Sequence, residues 1–507
     1  MPPAPYRRVA GVLVPLFSLR STAGWGVGEF RDLGTFSRWM RDAGLSLLQL
    51  LPINEMSPGQ DSPYSAMASA ALDPVFISPD GIAEFAHAGG REALDAAARD
   101  ALAAAVHARE VDFDAVRRAK SAAFALAWDA FRGSDAFDAF RERERSWLDD
   151  YALFRALADE NGASGADWQA WAEPLRRRDQ AALADARARL ARRVDYFAWL
   201  QWVADAQWRA ARGDARDNGV AVFGDLPFMV NAASADVWAR QQEFMLDASV
   251  GTPPDPFSAT GQDWGVPVYR WPEIAAGDFQ WLRQRAARAA SLFDGFRVDH
   301  LVGFYRTFVR PKEGEPYFLP HEPHEQVAQG ERLMRMFIET GAAVTAEDLG
   351  TVPDYVRESL GRLGLPGYVI QRWHRHWHQD GQPFINPGEW VSTAVATTGT
   401  HDTETMAEWY DTLSDAERQQ LAGSSAGFSD GARDTILASL YHSPSNLLIL
   451  PIQDLFGWRD RINTPATVGH GNWRWALPWP VDRLDARAEA ARRAETLRDL
   501  ARSSGRL

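Results

Sequence analysis

The sequence of 507 residues predicts an α/β protein, a (β/α)8 TIM barrel with large helical and loop insertions. Short apolar runs rich in β-branched residues recur eight times, and stretches with helical periodicity, such as 30–43, 326–340 and 352–363, lie between most of them. Continuous apolar strands that alternate with helices indicate a parallel sheet covered on both faces, and eight of them indicate a closed barrel. An open doubly wound sheet is the alternative, but it gives no reason for a count of eight. The runs are 9–16, 46–52, 220–224, 294–298, 343–346, 368–370, 394–398 and 447–451.

The uneven spacing of these runs locates the insertions. Roughly 165 residues separate the second run from the third, far more than one crossover helix requires. Residues 85–219 are rich in Ala, Arg, Asp and Glu, so we expect a mainly helical subdomain inserted between a first part of the barrel, 1–84, and the barrel remainder, 220–507. A second insertion, 225–293, includes the segment 251–267 with three glycines and four prolines. That segment is a linker or an active-site loop, and we favour the loop because long ordered loops in enzymes are often functional.

The composition narrows the classes of ligand. A net charge of −14 argues against a nucleic acid or an anionic membrane as the main partner, and no apolar run approaches the length of a membrane span. The absence of cysteine excludes disulfides, thiolate catalysis and cysteine metal sites. The 21 tryptophans fill cores or stack on sugar rings, which weakly favours a carbohydrate ligand.

The first apolar run has two interpretations. Arg7 and Arg8 followed by the apolar residues 9–17 resemble the start of a secretory signal. The run is short, however, Pro15 interrupts it, and no clear cleavage site follows. A buried first strand explains the same residues, and we therefore expect a cytoplasmic protein.

Acidic residues stand at the ends of four predicted strands. Asp225, Asp299 and Asp402 each follow an apolar run, and Glu347 and Asp348 follow another. In a parallel barrel all carboxyl ends of the strands meet at one mouth, where active sites lie, so these carboxylates are expected to converge. Any one of them could instead cap a helix or pair with an arginine. Four together favour catalysis.

The position of one arginine suggests how these acids differ. Arg297 and Asp299 are two apart on a strand and point to the same side. We expect the guanidinium to lower the pKa of Asp299 and keep it ionised, as a nucleophile requires. Glu347 lies among acids, which we expect to raise its pKa toward that of a general acid. Two acids in opposed environments are typical of glycoside cleavage.

Three motifs resemble those of the amylomaltases, the 4-α-glucanotransferases or disproportionating enzymes of the α-amylase clan. They are GFRVDH at 295–300, AEDLG at 346–350 and THD at 400–402 within TGTHD. Together with further matches in the expected order, the resemblance runs from about residue 10 to about residue 480. The further matches are 11–19, 61–64, 224–227, 251–267, 461–465 and 471–475.

The resemblance implies a retaining enzyme that moves α-1,4-glucan segments between malto-oligosaccharides, maltodextrin or glycogen- and starch-type glucans through a covalent glucosyl intermediate. Asp299 corresponds to the nucleophile, Glu347 to the acid and base, and Asp402 to the carboxylate that stabilises the transition state. This chemistry needs no cofactor. A hydrolase with the same three acids and a non-catalytic glucan-binding protein are the alternatives. The substrate-binding residues implied by the resemblance are Arg297, His300, His401, Tyr64, Asp225, Trp264 and Asn463.

The sequence also departs from the family pattern. Thr403-Glu-Thr405 stands where Asn-Asp-Thr is common, and Ala466 stands where glycine is usual. The run WHRHWH at 373–378 is foreign to the family. Its three alternating imidazoles, His374, His376 and His378, could bind zinc, but no fourth ligand is evident, so we expect surface or subsite histidines and no metal. No glycine-rich phosphate loop is present, which argues against a nucleotide-sugar donor.

Overall fold

The computed structural model describes residues 6–57, 59–162, 166–254, 261–465, 467 and 471–507. Ala466 and the middle of the segment 251–267, residues 255–260, therefore lie outside the described residues. Within the described part, no helix combines the length and the apolar character needed to cross a membrane.

Eight parallel strands form the central barrel. The strands of the described residues are β1 (Val9–Leu13), β2 (Leu47–Gln49), β3 (Ala221–Leu226), β4 (Phe244–Thr252), β5 (Gln262–Tyr269), β6 (Gly295–Val298), β7 (Thr307–Pro311), β8 (Tyr317–Leu319), β9 (Ala343–Ala346), β10 (Gly367–Ile370), β11 (Ala394–Thr397) and β12 (Leu447–Pro451). The barrel strands are hydrogen-bonded in the order β10-β11-β12-β1-β2-β3-β6-β9, and the Ala346 N–H donates to the Pro366 carbonyl across the remaining gap at 2.9 Å. Each of the eight predicted runs overlaps one of these barrel strands, with bounds that agree within three residues, so the predicted barrel is confirmed.

Helices cover the barrel because apolar residues recur along one face of each. The α-helices of the described residues are α1 (Asp32–Asp42), α2 (Ala83–His87), α3 (Ala96–His107), α4 (Phe113–Ala130), α5 (Asp135–Glu160), α6 (Glu173–Arg176), α7 (Gln180–Arg189), α8 (Ala191–Asp217), α9 (Ala235–Ala239), α10 (Trp271–Ala276), α11 (Gln280–Leu292), α12 (Val302–Tyr305), α13 (Pro323–Ile338), α14 (Asp354–Leu363), α15 (Met406–Asp411), α16 (Asp415–Ala422), α17 (Asp430–Tyr441), α18 (Ile452–Phe456) and α19 (Ala488–Ser503). The three helical stretches predicted from the sequence, 30–43, 326–340 and 352–363, correspond to α1, α13 and α14.

The connection between β2 and β3 carries the helices α2 to α8. Side-chain caps set where several of them begin: Asp112 accepts from the Ala115 N–H at 2.9 Å. Lys120 of α4 is buried and pairs with Glu29 at 2.8 Å. It also donates to two backbone carbonyls in the connection between β2 and α2. Because a buried ammonium is costly unless it is fully paired, this contact fixes the helices against the barrel.

A second, antiparallel sheet lies beside the mouth of the barrel. Its strands are ordered β5-β4-β7-β8. β4 and β5 contain both ends of the segment 251–267 and pair there, with Gly251 opposite Asp263. The segment was predicted as a loop, and this is wrong for its two ends, because its glycines and prolines mask the strand pattern. The hairpin brings Trp264 of β5 to the mouth.

Candidate active site

One arginine connects the acidic residues of three strands. Arg297 on β6 is 3% exposed, and its Nη1 donates to Asp225 on β3. Its Nη2 contacts Asp299 Oδ1 at 2.9 Å and Glu347 Oε1 at 2.9 Å. The strand parity that places Arg297 and Asp299 on one side is confirmed. The neighbouring strands β3, β6 and β9 thus deliver three carboxylates to one guanidinium.

The shared contact limits the separation of two carboxylates. Asp299 Oδ1 and Glu347 Oε1 both lie 2.9 Å from the same nitrogen, so they are separated by at most twice that distance, about 5.8 Å. Carboxyl groups of retaining glycosidases are ~5–5.5 Å apart, and those of inverting enzymes ~6.5–9.5 Å. The side chains of Asp299 and Glu347 are 21% and 17% exposed, so both reach the open mouth.

The residue after Asp299 has an unusual backbone. His300 has φ of +41°, in the left-handed region that non-glycine residues rarely adopt. This conformation directs its N–H to Glu347 Oε2 at 2.7 Å. Its ring lies 4.6 Å from the ring of Trp264 and 5.8 Å from that of Phe228. Burial lowers the pKa of His300 to about 4, so the imidazole is neutral at pH 7.

The two central acids have pKa shifts opposite to those expected from the sequence. Burial raises the pKa of Asp299 well above its ordinary value, and Arg297 does not compensate because it is shared with Glu347 and Asp225. Burial alone would also raise the pKa of Glu347, but Arg297 and the His300 N–H lower it to about 2. Both expectations were wrong in direction, because proximity in sequence does not show how one cation is divided among three acids.

Asp402 lies apart from this arginine, on the side of β11. Its side chain is 43% exposed. Asn463 Nδ2 donates to its Oδ1 at 2.6 Å, and His401 Nε2 lies 3.4 Å from its Oδ2. Arg461 donates to its backbone carbonyl at 3.2 Å. The carboxylate is therefore oriented by neighbours and still accessible to a ligand.

Tyr64 connects the acids around Arg297 with the residues around Asp402. Its ring stacks on that of His401, with centroids 5.3 Å apart and planes 16° apart. Its hydroxyl donates to Asp225 Oδ2 at 2.8 Å. The structure thus brings all ten predicted site residues into one connected group, while their individual roles stay a prediction. The ten are Tyr64, Asp225, Trp264, Arg297, Asp299, His300, Glu347, His401, Asp402 and Asn463.

Sequence reasoning did not single out Trp473. Its ring lies 5.7 Å from that of His401 and 5.8 Å from that of Tyr64, and it also has a left-handed backbone, with φ of +62°. The motif at 471–475 marked the region. Nothing in the motif indicated which of its two tryptophans faces the site.

An ion pair that the sequence did not reveal fixes the Tyr64 loop. Arg474 Nε donates to Asp61 Oδ2 at 2.7 Å, although the two residues lie 413 positions apart. This pair joins the segments that carry Tyr64 and Trp473. No spacing rule connects positions so far apart, so only the fold shows the contact.

The histidine run 373–378 lies outside this group. His374 packs edge-on against Trp390, with centroids 5.6 Å apart. In the described ranges, no three metal-binding side chains are grouped so that they could hold an ion. The two tryptophans of the run, Trp373 and Trp377, are 43% and 52% exposed.

A pair of carboxylates this close, at the mouth of a parallel eight-stranded barrel, is typical of enzymes that act on glycosidic bonds. Residues 14–482 match the family model described as 4-alpha-glucanotransferase. The chain therefore belongs to the 4-alpha-glucanotransferase family, as its motifs predicted.

Relatives and a solved structure agree with this assignment. The 4-alpha-glucanotransferase of Thermus thermophilus is 33% identical, over 96% of this chain and 99% of the relative. That of Chlamydia caviae is 30% identical, over 94% and 91%. The amylomaltase from Streptococcus agalactiae in complex with acarbose superposes with a TM-score of 0.83 at 25% identity, over 99% of this chain and all of that chain. The predicted enzyme class, the transfer of α-glucan segments, is thus confirmed.

Proposed function

We propose that Asp299, Glu347 and Asp402 carry a retaining transfer of α-1,4-glucan segments. The observation that carries this proposal is the shared contact with Arg297 Nη2, which keeps the oxygens of Asp299 and Glu347 within about 5.8 Å. This upper limit includes the separation that is typical of retaining enzymes. It is smaller than the separation that an inverting reaction needs for its extra water molecule.

The first step forms the intermediate. A carboxylate oxygen of Asp299 attacks the anomeric carbon of the donor, and the bond from that carbon to the glycosidic oxygen breaks. Glu347 gives its proton to the departing oxygen. In the second step the 4-hydroxyl of an acceptor attacks the same carbon, Glu347 takes the hydroxyl proton, and the bond to Asp299 breaks. Two inversions give net retention.

The remaining site residues fit the sugar. Asp402, held by Asn463 and His401, is exposed enough to accept bonds from sugar hydroxyls and to stabilise positive charge on the ring. Tyr64 and Trp473 offer aromatic surface on the same side. Trp264 packs edge-on against His300, beside Asp299 and Glu347, and offers a further aromatic surface.

The substrates we propose are malto-oligosaccharides, maltodextrin and glycogen- or starch-type glucans, and the proposed chemistry uses no cofactor. The net charge of −14 disfavours nucleic acids and anionic membranes as partners. We also propose that the helices of 85–219 form an inserted subdomain. A cytoplasmic location is consistent with the first apolar run, which forms β1 and pairs with β2 and β12.

Incubation with maltotriose tests transfer against hydrolysis. We expect a ladder of longer oligosaccharides with little gain in total reducing ends, because an acceptor sugar replaces water at the intermediate. Chromatography of the products and a reducing-end assay measure both quantities. Steadily rising reducing ends without longer products would show a hydrolase with the same three acids, and no product at all would favour a binding protein.

A further inference from the structure

We infer that residues 373–385, named here the rim hairpin, form an accessory binding surface for a long α-glucan chain, with Trp373 and Trp377 as its contact residues. This inference rests on the proposed function, because it takes the enzyme's own polymeric substrate as the ligand. In the part of the chain that the structure describes, five large apolar side chains are markedly exposed, and these two tryptophans are among them. Neither makes an aromatic or hydrogen-bonded side-chain contact there.

Backbone and side-chain contacts hold the two arms of the rim hairpin together. Its two arms pair through the Arg375–Phe384 bridge, with the Ile385 N–H donating to the His374 carbonyl at 2.9 Å. The Arg375 guanidinium lies 3.7 Å from the centroid of the Phe384 ring and pairs with Glu417 of α16 at 2.7 Å. An exposed surface that is already ordered loses little conformational entropy when a ligand binds.

The rim hairpin lies at the mouth of the barrel. It follows β10, whose neighbours β9 and β11 lead to Glu347 and Asp402. Arg372, directly before Trp373, pairs with Glu404 at 3.1 Å, two residues beyond Asp402. A glucan chain that leaves the catalytic site on this side therefore passes near the exposed indoles.

The surroundings of the indoles suit a sugar polymer better than a protein. With ~250 Å² for a tryptophan side chain, the two exposed fractions amount to roughly 240 Å². That is far below the ~800 Å² per partner of a stable protein interface. Exposed polar side chains continue the hairpin beyond Trp377 and can bond hydroxyl groups: His378, Gln379, Asp380 and Gln382.

The double variant Trp373→Ala/Trp377→Ala tests the inference, with amylopectin and maltotriose as probes. We expect the ratio of kcat/KM on amylopectin to kcat/KM on maltotriose to fall about tenfold, and retardation in amylopectin-containing native gels to weaken similarly. Val391→Ala, which trims another exposed apolar side chain, in the segment that precedes β11, serves as the control and should change neither.

Three outcomes would overturn the inference. The first is a double variant whose kcat/KM ratio and gel retardation both stay within twofold of the wild-type values. The second is an equal change in Val391→Ala. The third is a change of oligomeric state of the double variant in light scattering, which would assign the indoles to contact with a second copy of the chain. Failure of the proposed function is distinguishable. Wild-type protein that does not disproportionate maltotriose defeats that function, whereas gel retardation reports on the indoles without turnover.

Discussion

Asp299→Asn is expected to lower kcat on maltotriose by at least about a thousandfold, because an amide cannot form the covalent intermediate. The fold should survive with a stability within about 1 kcal/mol of the wild type. Burial raises the pKa of Asp299, so a neutral side chain is tolerated at this position, and Asn can still accept the bond from Arg297. Oligosaccharide analysis and thermal unfolding measure the two effects.

Asp348→Asn is the matched control, since Asp348 is an acid just beyond the end of the neighbouring strand β9. Its Oδ1 accepts from the Tyr368 N–H at 2.7 Å, a bond that Asn preserves, and burial raises its pKa to about 6 from an ordinary 3.8. Because this pKa is higher in the folded protein than in the unfolded chain, the free energy of unfolding of the wild type falls as pH rises from 3.8 through 6. The variant has no such acid and should be at least as stable as the wild type at pH 7. Its turnover should stay within tenfold. Near-normal turnover of Asp299→Asn would show that Asp299 is not the nucleophile.

Arg297→Leu is expected to cost about 3–5 kcal/mol of stability at pH 7 and to abolish measurable transfer. The substitution leaves Asp225, Asp299 and Glu347 buried together without their cation. The stability difference should depend on pH in a defined direction. Glu347 has a pKa lowered to about 2, so its contribution is complete above its ordinary 4.5 and is lost as pH falls through 2. The difference between wild type and variant should therefore narrow as the solution is acidified.

Two controls separate charge from geometry in that experiment. Arg297→Lys keeps the charge but cannot reproduce a planar fork that contacts three carboxylates, so it should retain more stability than Arg297→Leu and still lose most transfer. Arg433→Leu removes another buried arginine, one that pairs with Asp430 and Asp434 and is not among the ten site residues, and should cost stability without lowering kcat. Urea unfolding at several pH values provides the measurement. A stability difference that grows on acidification would contradict the account.

The barrel was predictable because its strands are buried on both faces. Continuous apolar runs such as 447–451 have no polar alternation that could be confused with a surface strand. The parity of Arg297 and Asp299 was predictable for a similar reason, since the side-chain period of a strand is fixed. The hairpin of β4 and β5 was not, because glycine and proline at its ends resemble a loop.

The electrostatics of the site could not be read from the sequence. The pKa of Asp299 depends on burial and on how Arg297 is divided among acids from three strands. The His300 N–H reaches Glu347 only because of a left-handed backbone that no motif specifies. Contacts such as Tyr64 with His401 join segments more than three hundred positions apart. Local patterns carry no information on such pairs.

Trapping of the covalent intermediate tests the central claim most directly. A fluorinated α-glucosyl fluoride that forms the intermediate quickly and releases it slowly should label the protein once. Trypsin then separates the three acids, because Asp299 lies in peptide 298–306, Glu347 in 336–357 and Asp402 in 376–418. The account predicts a glucosyl mass increase on peptide 298–306, located on Asp299. A label on either of the other two peptides, or continued transfer without any label, would contradict it.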